Sequence, residues 1–498
     1  MTQAQAGNTT QISDRNRWIA LYVLCAGMLM IVLDITVVNV ALPTIQDDLG
    51  FSQNDLSWVV NAYLIPFGGL LLLAGRLGDL IGGRTVFLSG LALFTLASLL
   101  CGAATSSGFL IGARFLQGVG GAMTSAVILG MVARMFPEPR DRAKAMGIFG
   151  FVASGGGTIG LLVGGALTES ISWHWIFFVN LPIGLITAVL ATRLLNRDRG
   201  IGFGQGADVL GALLITGALM LGVYTIVKPA AELGWGAGQT LALGAVSVAL
   251  LVGFVVREAT ARNPLMPLRL FRSRNVSGAN LVQALSVAGM FGMFFMGSLY
   301  LQRVLGYDPL EIGLAFLPTT LVMGTLSVRY SERLVTRFGA RRTLVPGLGL
   351  VAAGLALFTQ VPEHGSYVVD VLPSIVLIGA GAGTAFPALM NIAMSGATPS
   401  DAGLASGLVN TTMQVGGALG LAVLATLAAT RTASLRGSGE STVHALIGGY
   451  HLAFVIAAGL VLAALVVAIT VLRPAPAQVP EREADERARK GEPAIEGC

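Results

Sequence analysis

The placement of charge along this chain leaves few folds open. Asp55–Arg76, Lys144–Glu169, Asp208–Lys228, Glu232–Arg257 and Arg342–Glu363 each enclose one apolar stretch with no charged residue. Lipid satisfies no backbone group, so a stretch of about 20 apolar residues that enters a bilayer has to cross it as a helix. Arg274–Arg303, Asp370–Asp401, Asp401–Arg431, Glu440–Arg473 and Glu169–Arg193 enclose one stretch each. Arg84–Arg114 holds a whole span and the start of the next, parted by the polar turn Ala104–Gly108. With the runs from Trp18, through Arg114 and near 310–330, the chain is expected to cross a membrane 14 times. Only 11% of its residues are charged, against about 25% in soluble domains, and the mean hydropathy is +0.76. A soluble enzyme, a disordered chain, a collagen-like fibre and a disulfide scaffold are thereby excluded. The three cysteines form no disulfide or metal-ligand pattern. A polar leader of 17 residues precedes the first apolar run and no small-residue cleavage pattern lies near its end, so this run is expected to remain as a span.

An even number of spans places both termini on one side. If that side is the cytoplasm, inner links and termini carry 26 of the 31 basic residues. Outer links carry Lys228, Arg303, Arg431 and Arg436, and Arg114 lies within a span. The positive-inside bias therefore predicts cytoplasmic termini in the plasma membrane. It also explains the net charge of +5 without nucleic acid. The Pro-, Glu- and Arg-rich segment after Arg473 reads as disordered.

The chain repeats itself weakly. Residues 74–84 (AGRLGDLIGGR) match 331–341 (SERLVTRFGAR), and Leu110–Ala113 match Leu377–Ala380. Gly147, Gly156, Gly157 and Gly160 match Gly407, Gly416, Gly417 and Gly420. Spans 1–6 thus resemble spans 9–14. Two parallel halves around a site near the bilayer midplane is a transporter's architecture. The expected fold is an all-α membrane protein of 14 transmembrane helices, two six-helix halves with two inserted central helices. The expected division is a leader 1–17, a first half 18–200, the inserted pair 201–258, a second half 259–473 and a disordered tail 474–498.

The motifs also carry a family resemblance. Leu33-Asp34-Ile-Thr36-Val-Val-Asn39-Val-Ala-Leu-Pro43 resembles the first-span motif of the fourteen-span drug:proton antiporters of the major facilitator superfamily. Gly75–Arg84 is similar to that family's loop 2–3 signature, and Arg114-Phe-Leu-Gln117-Gly118 to its fourth-span motif. Gly156–Gly165 resembles its fifth-span antiporter motif, and Trp173–Gly184 the start of its sixth span. Leu161 stands where the family usually has Pro, Gly83 where it has a basic residue, and Thr336 where the second-half copy would have an acid. Leu161 keeps the backbone donor that Pro lacks. The resemblance implies proton-coupled export of lipophilic drugs or antibiotics by alternating access, with Asp79 in a gate; Arg76 and Arg84 read either as gate members or as topology anchors. A same-fold exporter of a natural metabolite (siderophore, biosynthetic product or lipid) and a non-transporting membrane sensor are the alternatives.

Within that frame the residues suggest roles. An acid inside a span costs at least about 2.5–3.5 kcal/mol, so Asp34 has to face protein or water. At a rise of about 1.5 Å per residue, Asp34 lies roughly 12 Å and Arg114 roughly 9 Å below the same surface. The two are expected to meet, with Arg114 holding Asp34 ionised in one state and protonation releasing it in another. A static pair that only pins two helices is the competing reading. Gly156, Gly160 and Gly164 share a helix face, which lets backbones approach closely. They are read here, with Gly165, as packing across the two halves, and Gly416 and Gly420 likewise. Asn39, Gln117, Asn410 and Gln414 are amides that either line a substrate cavity or bond a neighbouring helix. Met290, Met293, Met296 and the phenylalanines among them offer a soft surface, for ligands or for packing. Trp173 and Trp175 read as interface anchors.

None of the three lysines follows Gly, so no P-loop exists, and no catalytic or metal-binding constellation appears. The expected protein is not an enzyme, uses no cofactor or metal, and draws on the proton gradient. Its partners are a small lipophilic substrate, protons and the lipid bilayer, and it is expected to work as a monomer.

Overall fold

The computed structural model describes residues 14–53, 55–136, 138–195, 200, 202, 208–261, 264–265, 268–395 and 402–473. The expected tail 474–498, and the leader up to residue 13, lie outside the described residues. Among the described residues there is helix and connecting turn but no strand. The first six membrane helices are α1 (Asp14–Leu49), α2 (Trp58–Ile81), α3 (Gly83–Gly102), α4 (Ser107–Met135), α5 (Pro139–Ser170) and α6 (Asn180–Leu194). A short turn of helix, Trp175–Phe178, leads into α6. Two follow as α7 (Val209–Val227) and α8 (Gly238–Thr260). The last six are α9 (Arg274–Arg303), α10 (Pro309–Thr325), α11 (Ala340–Phe358), α12 (Leu372–Ser395), α13 (Ala402–Gly437) and α14 (Thr442–Thr470). Thirteen of these helices, counting Trp175–Leu194 as one, are long and apolar enough to cross a membrane. In α5, a helix of 32 residues, the described apolar part is Ile159–Ser170. The protein is an all-α membrane protein.

Sequence punctuation sets the helix ends. Ser106, Ser273 and Ser441 accept hydrogen bonds from backbone N–H groups in the first turns of α4, α9 and α14. Asp308 and Glu311 form a reciprocal capping box at the start of α10. Each such bond satisfies a donor that lipid would leave bare.

α1 packs on α5, α2 and α3 on α4, α9 on α13 and α14, and α11 on α12. α5 with α10 and α2 with α13 join these two sets. α7 docks on α2 and α13, whereas α8 leans almost wholly on α7. The hydrophobic stretch of α8 is 11% buried against 83% for α2, so α8 faces lipid and α2 faces protein.

The repeated sequence folds into repeated packing. Gly82 and Gly339 turn the chain at φ +98° and +85°, a conformation that favours glycine. Two residues on from each, an arginine reaches the end of a helix of its own half. Arg84 Nη2 donates to Thr192 O at 2.5 Å, near the end of α6. Arg341 Nε donates to Ala468 O at 3.3 Å, and its Nη2 to Ile469 O, at the end of α14. A cation is favoured among unpaired helix C-terminal carbonyls.

The glycine faces point elsewhere than the sequence suggested. A Cβ on Gly156 would meet Leu29 and Val32 of α1, one on Gly160 would meet Thr36, and one on Gly164 would meet Val37. Gly416 and Gly420 meet Ala284 and Ala288 of α9 in the same manner. Both stripes therefore pack within a half. Only Gly165 crosses, backing onto Pro309 O and Leu310 of α10. Regular spacing guarantees a close approach but does not name the neighbour.

Candidate functional site

Asp34 lies in the middle of α1 and is wholly buried. Its Oδ2 accepts Arg114 Nη1 of α4 at 2.5 Å. Its Oδ1 accepts Gln117 Nε2 at 2.6 Å and Asn180 Nδ2 of α6 at 3.3 Å. Arg114, 1% exposed, also donates from Nε to Val59 O at 2.9 Å and from Nη1 to Gln117 Oε1 at 2.8 Å. Its guanidinium stacks over Tyr63 at 4.5 Å and Phe177 at 5.7 Å. Ser98 of α3 closes the network, accepting from Gln117 at 3.2 Å and Asn180 at 3.0 Å while donating to Phe177 O at 2.9 Å.

Five helices, α1, α2, α3, α4 and α6, thus converge on one carboxylate. The sequence brings out Asp34, Arg114 and Gln117, and the structure brings all three together. It places Gln117 in this network. Ser98, Tyr63 and Asn180 were missed as site residues. Asn180 lies inside the sixth-span motif, and nothing in the spacing of Ser98 or Tyr63 distinguishes them. Two buried polar atoms of the cluster, Asn180 Oδ1 and Tyr63 OH, have no hydrogen-bond partner among the described residues. Such groups are able to take up a bond when the cluster rearranges.

The second half has the same framework without the charge. Thr36 meets Gly160 as Ala288 meets Gly420, so Asp34 corresponds to Ser286 of α9. Ser286 is buried and its Oγ is unpartnered among the described residues. By the repeat, Arg114 corresponds to Gly381.

Leu33 O and Thr36 flank Asp34, and both abut Gly160 of α5. Five residues later Gly165 abuts α10, and Leu161 O lies 2.5 Å from where a Cβ on Gly313 of α10 would be. α5 runs unbroken through Leu161, the residue that replaces the family's proline. It therefore touches both the buried acid's helix and the opposite half. Near that end of the bundle, Ser298 of α9 donates to Asn39 O at 2.7 Å. Arg303 pairs there with Asp47.

Asp79 is exposed at the end of α2, and Arg76 is partly buried there. Gln414 is buried against Gly68 in the seam of α2 and α13, its Oε1 unpartnered among the described residues. Asn410 lies one turn before it and is partly buried. Asn39 also turns its amide onto Ile35 O of its own helix. Met290, Met293 and Met296 are buried, so this soft surface is packing in the described structure. Trp173 is 2% exposed and donates to Asp48 Oδ2 at 2.9 Å, so it is a buried tether; Trp175, 45% exposed, remains at the surface.

Comparisons with known proteins agree with this architecture. The family model described as Major Facilitator Superfamily matches residues 24–421. The chain is 41% identical to a puromycin resistance protein of Streptomyces alboniger, over 91% of each chain. It is 39% identical to a cephamycin export protein of Amycolatopsis lactamdurans, over 86% of this chain and 88% of that one. A crystal structure of a bacterial homologue of the lysosomal transporter Spinster has the same fold at 17% identity. Its TM-score is 0.65, covering 92% of this chain and 98% of that one.

Proposed function

The chain belongs to the major facilitator superfamily, and from that premise we propose that it exports an antibiotic-class small molecule across the plasma membrane in exchange for protons. Both termini are cytoplasmic on the positive-inside argument, so the basic face is the inner one. The protein works as a monomer, with no cofactor and no covalent step. The functions of its relatives, antibiotic resistance and export, supply the substrate class.

The observation that carries proton coupling is the sealed pair of Asp34 and Arg114. When Asp34 is ionised, it anchors Arg114 and two amides. Protonation removes its charge and weakens all three contacts, which loosens α1 from α4 and α6. α1 carries that change into α5 through Gly160, and α5 carries it to α10 through Leu161 and Gly165. The Asp34 side chain has no solvent-accessible surface in this conformation, so proton exchange belongs to another one.

The test is substrate-driven proton movement in inverted vesicles, with puromycin and a lipophilic cationic dye as probes. Wild type is expected to release protons when either probe is added. Asp34→Asn, similar in shape and without the charge, is expected to bind the probes and release none. Equal proton movement by a folded Asp34→Asn protein would end the assignment of the proton to this residue.

A further inference from the structure

The repeated corner of the fold is closed in the first half and open in the second. At the inner end of the first half, the backbones of Gly200 and Gly202 lie against α2, with Gly202 N donating to Leu80 O at 3.0 Å. At the equivalent place in the second half there is a cavity of about 610 Å³. Its walls are Phe338, Val345, Pro346 and Ile469, and Arg341 and Arg342 stand in it. No acidic side chain lines it among the described residues.

The two arginines differ. Arg341 spends Nε and Nη2 on the last carbonyls of α14. Arg342 is exposed and has no polar partner among the described residues. By the repeat, the first half has Thr85 in its place. The second cation is thus particular to the corner that is open.

We propose that this cavity binds the phosphate of an anionic phospholipid from the inner leaflet, with Arg342 as the principal contact and Arg341 as the second. The orientation rests on the positive-inside bias. The cavity sits where α11 begins and α14 ends; both helices are spans, so this place corresponds to the depth of lipid headgroups. Basic pockets between transmembrane helices on this side suit anionic headgroups. A free phosphate would use the arginines as well, but it gains nothing from Phe338, Val345, Pro346 and Ile469. The glycerol and first methylenes of a lipid do, since apolar area leaves water on binding. A lipid there would bridge α11 and α14, the helices that Arg341 already ties.

The experiment is native mass spectrometry of the full chain exchanged from detergent into phosphatidylglycerol or phosphatidylcholine. Wild type is expected to retain phosphatidylglycerol preferentially. Arg342→Gln is expected to reduce that preference about fivefold, the effect of one basic residue near an anionic surface. Arg342 is exposed and outside the tie to α14, so the variant should fold. Val345→Trp, which fills the cavity and keeps both charges, should reduce it as well. Equal retention of the two lipids by wild type, or an unchanged preference in both variants, overturns the proposal. Displacement of the lipid by millimolar inorganic phosphate through Arg342 would make the resident a free anion and overturn the lipid assignment. A preference that emerges only after removal of residues 474–498 would make the chain's own tail the occupant, with the same consequence. The readout is lipid retention, so failed transport assays leave it interpretable.

Discussion

Gly160 of α5 sits so close to Thr36 of α1 that a Cβ placed on it would lie 1.9 Å from the threonine's Oγ1. Nothing larger than hydrogen fits there unless α5 or Thr36 moves. A Cβ placed on Gly157 would stand 3.9 Å from Thr36, at ordinary contact. Gly160→Ala is therefore expected to lower efflux at least tenfold and stability by about 1–3 kcal/mol, the usual range for overpacking. Gly157→Ala is expected to leave both nearly unchanged. Efflux rate and thermal unfolding in detergent are the measurements. Equal behaviour of the two variants would remove this contact from the mechanism.

Arg114 is expected to be worth most as a partner. Arg114→Gln leaves a buried carboxylate uncompensated, at a cost of about 3–5 kcal/mol. Adding Asp34→Asn removes the orphaned charge, so the double variant should regain most of that loss. Thermal unfolding of the four proteins forms a double-mutant cycle. Simple additivity would mean that the two residues do not hold each other.

Gly313 meets the carbonyl of Leu161 across the halves. Gly313→Val is expected to hold α5 and α10 apart at that crossing while each half stays folded. Binding of a fluorescent substrate should survive and efflux should fall at least tenfold. A variant that pumps at the wild-type rate would show that this approach is incidental.

The pair of Arg303 and Asp47 joins α9 to the end of α1, with side-chain exposures of 32% and 60%. Exposed ion pairs contribute roughly 0–1 kcal/mol. Asp47→Asn should therefore shift the balance between conformations by no more than about fivefold, toward separation of the halves at this face. The measurement is outside labelling of a cysteine placed at Ser298, in low and in high salt. Salt should raise labelling of the wild type and have less effect on the variant, because it screens the charge.

Much of this architecture is written in the placement of charges. Bands of uncharged residues define the spans because lipid excludes charge along each crossing. Asp34 and Arg114 stand out for the same reason. Ser98 and Asn180 do not, because uncharged polar residues recur in spans as local helix-to-helix contacts. The glycine stripes announce close approach, yet their partners, α1 and α9, are set by tertiary packing. Trp173 reads as an interface residue until Asp48 is found beside its indole. Cross-half pairs such as Ser298 with Asn39 join positions 259 residues apart, and neither residue carries a mark of the other.

The substitution of Ser286 for the acid in the second half has an electrical consequence. On the proposed coupling through Asp34, whose counterpart in α9 is Ser286, each cycle is expected to return one proton. Expelling a singly charged cation against that proton moves no net charge, so membrane voltage neither helps nor hinders it. Expelling a neutral molecule carries one positive charge inward, and voltage then contributes about 2.3 kcal/mol per 100 mV. Collapsing the potential with valinomycin and potassium should slow export of neutral substrates and spare export of monocations.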